Sequence, residues 1–227
     1  VTSSAAHDWA VGPLAPSLAN GTVHVWRVDL AAASSELGEL LCSEERARAQ
    51  RILNERDGEL WRRSRGLLRT LLGRYLQVDE PQALRFSVGE HGKPELSPDR
   101  LSFNLSHSAH WALYAFSCTC AVGVDVEVAR RPVGELAIAT RVLGAAVAQR
   151  LQALDPHARR REFLRAWVRH EAALKCLGVG IGGARTHDLE RQPWVADVEL
   201  GVPDAAAAVS AAQPAREVCC WGWEADS

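Results

Sequence analysis

The chain has 227 residues, 47% of them apolar, enough for one large domain or two small halves around a real core. Its formal net charge of −2 excludes a bulk electrostatic pull toward nucleic acid or membrane. No apolar run approaches the roughly 18 residues a membrane-spanning helix needs, and the opening VTSSAAHDWAVGPL lacks the basic head and apolar stretch of a secretory signal.

The first clear element is TVHVWRVDL, where His24–Asp29 alternates like a strand. Ala31–Ser35 is a loop or weak helix. Ser43, followed by Glu44, Glu45 and Arg46, marks a helix start with an N-cap and an acidic first turn, expected to run to about Asn54. A second helix is expected from Gly58 to Leu76, because Leu60, Trp61, Leu67, Leu68, Leu71, Leu72 and Tyr75 recur at helical spacing. Nine arginines lie between Arg46 and Arg74; most read as a solvated helix face, and some could meet an anionic ligand, since the guanidinium fork matches phosphate.

GEHGKPELSP (89–98) is rich in turn residues. Leu101–Leu105 is a short strand candidate. His110–Ser117 and Ala121–Val128 read as a hairpin with its turn near Ser117–Cys120. In the second of these, alternation places Val122, Val124, Val126 and Val128 on one face and Gly123, Asp125 and Glu127 on the other. One wet face explains the alternation, but not two carboxylates beside a glycine. Arg161–Leu177 is the clearest helix, closed by Gly178. After the loose GVGIGG come strand-like VADVEL and EVCCWGW, with Ala205–Ala212 ambiguous between them. Helices and short strands mix without regular β-α-β alternation, so the fold class is α+β. The six cysteines, at 42, 118, 120, 176, 219 and 220, form no C-x-x-C pair and read as reduced thiols of a cytoplasmic protein rather than as zinc ligands or disulfides.

Chemistry is concentrated in two segments 44 residues apart: Asp125 and Glu127 in GVDVE, and Glu171 and Lys175 in WVRHEAALK. Three carboxylates suit a hard cation such as Mg²⁺, which takes oxygen ligands and commonly bridges to substrate phosphates. A lysine one helical turn beyond the third carboxylate can hold the phosphate, which makes a phosphoryl-transfer site. The plainer reading of Glu171 and Lys175 is an i,i+4 helix pair worth a few tenths of a kcal/mol, and of Asp125 and Glu127 a wet strand face. His107 in FNLSHS could donate to a phosphate oxygen, with Ser106 and Ser108 as flanking hydroxyl donors, or be structural. No G-x-S-x-G elbow, phosphate-binding P-loop or dinucleotide fingerprint is present.

Taken in order, HGKPEL, FNLSHS, GVDVE and FLRAWVRHEAALKCLGVGIG resemble the Sfp-type 4′-phosphopantetheinyl transferases, and NERD and SRGLLR upstream fit the same pattern. The resemblance spans roughly Ser43 to Gly183. It implies a pseudo-twofold α+β monomer of two similar halves, drawn here as 1–117 and 118–227, with coenzyme A in the cleft between them. It also implies transfer of the phosphopantetheine arm to a serine of an apo acyl or peptidyl carrier protein, with release of adenosine 3′,5′-bisphosphate. By resemblance Asp125, Glu127 and Glu171 are the Mg²⁺ ligands and Lys175 the pyrophosphate contact. His107 is a second phosphate contact, and Lys93, Ser106, Arg56 and Arg65 lie on the coenzyme A side. Glu171 or Glu127 would be the base for the carrier serine. The family commonly has lysine before the helix glutamate, and here His170 takes that place. Two alternatives are carried: another Mg²⁺-dependent phosphoryl-transfer enzyme on the same carboxylates, and a non-catalytic module that binds coenzyme A or a carrier protein.

Overall fold

The structure is a computed structural model, and it describes residues 9–88, 94–96, 101–129, 134–179 and 192–224. In chain order the elements begin with β1 (Ala10–Val11), β2 (Thr22–Asp29), α1 (Ser43–Gln50) and α2 (Glu55–Leu76). There follow β3 (Phe86–Val88), β4 (Pro94–Leu96), β5 (Ser102–Ser108), β6 (Trp111–Ser117) and β7 (Val122–Val128). Then come α3 (Glu135–Ile138), α4 (Ala145–Gln152), α5 (Pro156–Leu177), β8 (Trp194–Asp197), β9 (Ala205–Ala211) and β10 (Glu217–Gly222). The fold is α+β.

One arrangement occurs twice. A strand leads through a helix of 22 residues to an antiparallel pair whose second member returns beside the first strand. The first copy gives the order β2-β6-β5 and the second β7-β9-β8. The last strand, β10, then crosses back and pairs parallel with β2, with β1 outside it.

Side-chain alternation turns these two sheets into four layers. Trp26 and Val28 of β2, with Phe103, Tyr114 and Phe116, bury against Leu67, Leu68, Leu71 and Leu72 of α2. Each of those leucines removes a full side chain from water, roughly 1.5–3 kcal/mol apiece. The opposite face of the first sheet, with Val23, Val25, Leu113 and Ala115, packs on Val122, Val124, Val126, Val209 and Ala211 of the second. The outer face of the second sheet offers Ala206 and Ala208 to Val168 and Ala172 of α5. Methyl-sized side chains on both partners let that helix lie close.

Local chemistry sets the helix ends. Asn54 Oδ1 accepts from Asp57 N (3.0 Å) to cap α2. Asp155 Oδ1 accepts from His157 N and Ala158 N to cap α5, whose first residue is Pro156. Gly178, at φ +72°, closes α5 in the left-handed conformation that glycine adopts without strain.

Several sequence expectations shift. Ser43 is the first helical residue rather than the cap; Cys42 precedes the helix, and its N–H donates to Glu45 Oε2 (3.1 Å). That helix stops at Gln50, and Asn54 opens the next one. The Ala205–Ala212 stretch is strand through Ala211. The largest correction concerns the hairpin. Trp111–Ser117 pairs with Ser102–Ser108 across the two-residue turn Ala109–His110, whereas Val122–Val128 belongs to the other sheet. All six cysteines are free thiols; Cys176 and Cys220 are buried and Cys118 is exposed.

Candidate active site

The glycine beside the two strand carboxylates is explained by α5. A Cβ at Gly123 would lie 2.1 Å from the Ala172 carbonyl oxygen and 2.4 Å from Cys176 N. The helix backbone therefore rests directly on β7, and the next residues on that strand face meet the helix side chains. Lys175 Nζ donates to Asp125 Oδ1 (2.6 Å) and to Ser106 Oγ (2.9 Å), while Ser106 Oγ donates to the same Asp125 oxygen (2.7 Å).

Strand β5 supplies the other side of this arrangement. It is the edge of the first sheet, as β7 is of the second. The two run in the same direction and are joined through side chains. Asn104 Oδ1 accepts from Val124 N (2.9 Å). Ser108 Oγ accepts from Val128 N (3.1 Å) and donates to Glu127 Oε2 (2.9 Å).

Charge is unevenly balanced here. Asp125 is 4% exposed and Glu171 8%. Asp125 Oδ2 and Glu171 Oε1 are buried without a hydrogen-bond partner among the described residues. Burial pushes the Glu171 carboxyl up, the Asp125 carboxylate adds to this, Lys175 opposes it, and Glu127 raises it further. Buried carboxylate oxygens left bare are costly, and this pair has the donor chemistry a hard cation takes. Among the described residues, however, no three Asp, Glu, His or Cys side chains are gathered into a ready-made metal site. Lys175 holds one Asp125 oxygen instead.

Two cavities meet at His107. One, of about 700 Å³, is walled by Leu60, Trp61, Ile138, Phe163, Leu164 and Trp167, with Ser108, Glu127 and Arg160 among its polar groups. It draws walls from both copies of the repeated arrangement. The other, of about 530 Å³, is lined by Arg48, Arg65, Arg69, Arg85, Glu45 and Phe86. Protein packed around the His107 ring lowers its pKa, Lys175 adds to that, and Asp57 works against it. Its imidazole has an N–H to donate in either protonation state. His170 is likewise lowered by burial, so it does not supply the charge of a lysine.

The arginine-lined cavity is braced from behind. Glu45 receives Nε–H of both Arg65 and Arg69. Arg69 is 1% exposed and also donates to the carbonyls of Pro81, Gln82 and Leu84. Both guanidiniums lie over the Phe86 ring, at 4.3 and 4.9 Å. Arg69 thus departs from the expected solvated face. Among the expected site residues, Asp125, Glu171, Lys175 and Ser106 form one cluster, with Glu127 and His107 at its edge and Arg65 on the wall of the second cavity. Arg56 is exposed on the first turn of α2 and is not among the residues lining either cavity. Lys93 lies outside the described residues. Sequence reading missed Asn104 and Glu45, and took Ser108 only as a hydroxyl donor flanking His107. The usable signal was N-x-S-x-S, three short hydrogen-bonding side chains on one strand face.

A family model described as the 4′-phosphopantetheinyl transferase superfamily matches residues 121–202, which contain GVDVE and all of α5. The chain is similar to the 4′-phosphopantetheinyl transferase HetI of Nostoc sp., 36% identical over 193 residues, covering 81% of this chain and 79% of that one. It is 31% identical over 180 residues to a phosphopantetheinyl transferase of Thraustochytrium sp., covering 71% of this chain and 59% of that protein. It is also 28% identical over 150 residues to the 4′-phosphopantetheinyl transferase ffp of Bacillus subtilis, covering 65% of each. Identity at the first of these levels, over most of both chains, sets the assignment: the protein belongs to the 4′-phosphopantetheinyl transferase superfamily, a family of transferases.

Proposed function

We propose that this protein moves the 4′-phosphopantetheine arm of coenzyme A onto a serine hydroxyl of an apo carrier protein, with Mg²⁺, releasing adenosine 3′,5′-bisphosphate. The carriers would be of the fatty-acid, polyketide or peptide-synthetase kind. The observation that carries the reading is the pair of bare, buried oxygens on Asp125 and Glu171 beside Lys175, with Glu127 of the same strand face lining the apolar cavity.

Asp125, Glu127 and Glu171 would hold Mg²⁺, which commonly keeps waters and substrate phosphates among its ligands, so a site completed by substrate fits these side chains better than a closed protein cage. When bound, the ion neutralises pyrophosphate charge. Lys175, released from Asp125, holds the pyrophosphate, and His107 donates to a phosphate oxygen. Arg48, Arg65, Arg69 and Arg85 suit the phosphate-bearing nucleotide end, and the apolar cavity suits the pantetheine arm. With the two halves 1–117 and 118–227 giving both walls, a single cytoplasmic monomer suffices.

The serine oxygen forms a bond to the phosphorus bearing the arm as that phosphorus loses its bond to the oxygen of the departing bisphosphate. The serine proton passes to Glu127 or Glu171. The carrier supplies the nucleophile, which accounts for the lack of a nucleophile motif in this chain.

The test is intact-mass spectrometry of an apo carrier protein incubated with the enzyme, coenzyme A and Mg²⁺. A gain of one phosphopantetheine arm that disappears with EDTA supports the proposal. Coenzyme A binding without a gain on any of several carriers points to a binding module. No gain and no coenzyme A binding sinks the proposal.

A further inference from the structure

We propose that Ser108 is a positioning residue that orients Glu127 from across the junction of the two halves, with Asn104 docking the same strand edge. The proposal rests on the reading of Glu127 as a metal ligand.

Two edge strands lie side by side here, yet the hydrogen bonds recorded between them run through side chains. An edge strand presents backbone groups that need partners. On β7 the N–H groups of Val124 and Val128 are taken by Asn104 Oδ1 and Ser108 Oγ, at 2.9 and 3.1 Å. Asn104, Ser106 and Ser108 are at i, i+2 and i+4, so strand alternation puts all three on one side of β5. The outer two fix the backbone of β7. The middle one reaches Asp125, and the last also reaches Glu127. Each strand carboxylate thus receives a serine hydroxyl from the opposite half.

The polarity at Ser108 is forced. Val128 N can only donate, so Ser108 Oγ accepts there. Its own proton is then available to Glu127 Oε2 at 2.9 Å, an acceptor when ionised. A hydroxyl with both functions engaged holds its partner in one place. Glu127 lines the apolar cavity, and this bond restricts the rotamers its side chain takes there. Groups that hydrogen-bond a ligating carboxylate tune how well it binds. Ser108 bonds both Glu127 and the backbone beside it, so removing this one hydroxyl acts on the carboxylate and the strand edge together.

The experiment uses the full chain with Ser108→Ala, Ser108→Thr and Glu127→Gln. Mn²⁺ binding in the presence of coenzyme A is read by electron paramagnetic resonance, the Mg²⁺ dependence of transfer is read in parallel, and thermal melts report the folded fraction. Ser108→Ala is expected to weaken Mn²⁺ binding on the order of tenfold and to raise the half-saturating Mg²⁺ for transfer equally. Ser108→Thr keeps the hydroxyl and is expected to restore both. If Ser108→Ala binds Mn²⁺ like wild type while Glu127→Gln does not, Ser108 is merely structural and the proposal is overturned. If Glu127→Gln also binds normally, the metal assignment has failed, and the role of Ser108 goes with it.

Discussion

Replacing Gly123 by alanine tests how closely the helix and strand must approach. The new methyl would lie 2.1 Å from the Ala172 carbonyl oxygen and 2.4 Å from Cys176 N. Both are backbone atoms of a helix, which cannot turn aside as a side chain can. Relief to ordinary van der Waals contact means α5 moving by roughly 1 Å, and overpacking of this kind costs about 1–3 kcal/mol. For a chain of this size that is a drop in Tm of roughly 2–10 °C. Function should suffer more than stability. Glu171 and Lys175 ride on the displaced turns, and a misplacement of about 1 Å can cost on the order of 10²-fold in rate. Thermal melts and transfer kinetics on an apo carrier protein read the two effects separately. Gly123→Ala with Tm and kcat/KM both near wild type would show that the helix backbone does not set the site geometry.

Asp125→Ala should abolish Mg²⁺-dependent transfer while leaving the fold largely intact, because the Lys175 side chain is 29% exposed and keeps Ser106 as a partner; near-normal turnover would contradict the metal role. Glu45→Ala leaves the Arg69 guanidinium buried without its carboxylate, so urea denaturation should show a loss of about 3–5 kcal/mol; a loss below 1 kcal/mol would mean the backbone carbonyls alone suffice. His24 gives an acid sensitivity away from the site. Burial lowers its pKa to about 4, and its Nδ1 shares a 2.8 Å hydrogen bond with the Tyr75 hydroxyl, which also accepts from Trp26 Nε1. Its folded pKa lies below its unfolded one, so the unfolded chain binds the extra proton. Stability from this source is complete above about pH 6.5 and falls as pH drops toward 4, by about 3 kcal/mol in all. His24→Gln should flatten that part of the stability profile, measured by urea melts at pH 7.5 and 5; an unchanged slope would place the acid sensitivity elsewhere.

Much of the site was legible because the chemistry is concentrated in short segments. Alternation in GVDVE placed Asp125 and Glu127 opposite the valines, and helical spacing put Glu171 and Lys175 one turn apart. The link between them was not legible, since no local pattern says which helix covers which strand. Gly123 was the clue, and its meaning appears only with the Ala172 carbonyl beside it. The misplaced hairpin has a local cause as well. Ser117–Cys120 has the length of a turn between two apolar runs, whereas the true turn, Ala109–His110, carries no glycine, asparagine or aspartate. Ala109 holds φ +60° there, a conformation hairpin turns commonly assign to those residues. The buried Arg69 was hidden by its surroundings. In a row of nine arginines nothing local marks the one whose partner, Glu45, comes from another helix.

The location of the cluster follows from the repeat. The β5 edge of the first sheet meets the β7 edge of the second. A backbone ladder would have closed that line and left no room for charged side chains. Joining the edges through Asn104, Ser106 and Ser108 satisfies the backbone, holds the strands a side chain apart and turns hydroxyls toward Asp125 and Glu127. The glycine on the helix side then admits α5 closely enough to bring Lys175 onto Asp125. Among the described residues, what results leaves oxygens of Asp125 and Glu171 bare and the Glu171 carboxyl raised. A site tuned for folding alone would have replaced one of those carboxylates with an amide. On the proposed function, keeping both would cost stability in the free protein and would leave a place where an arriving cation gains interactions at once.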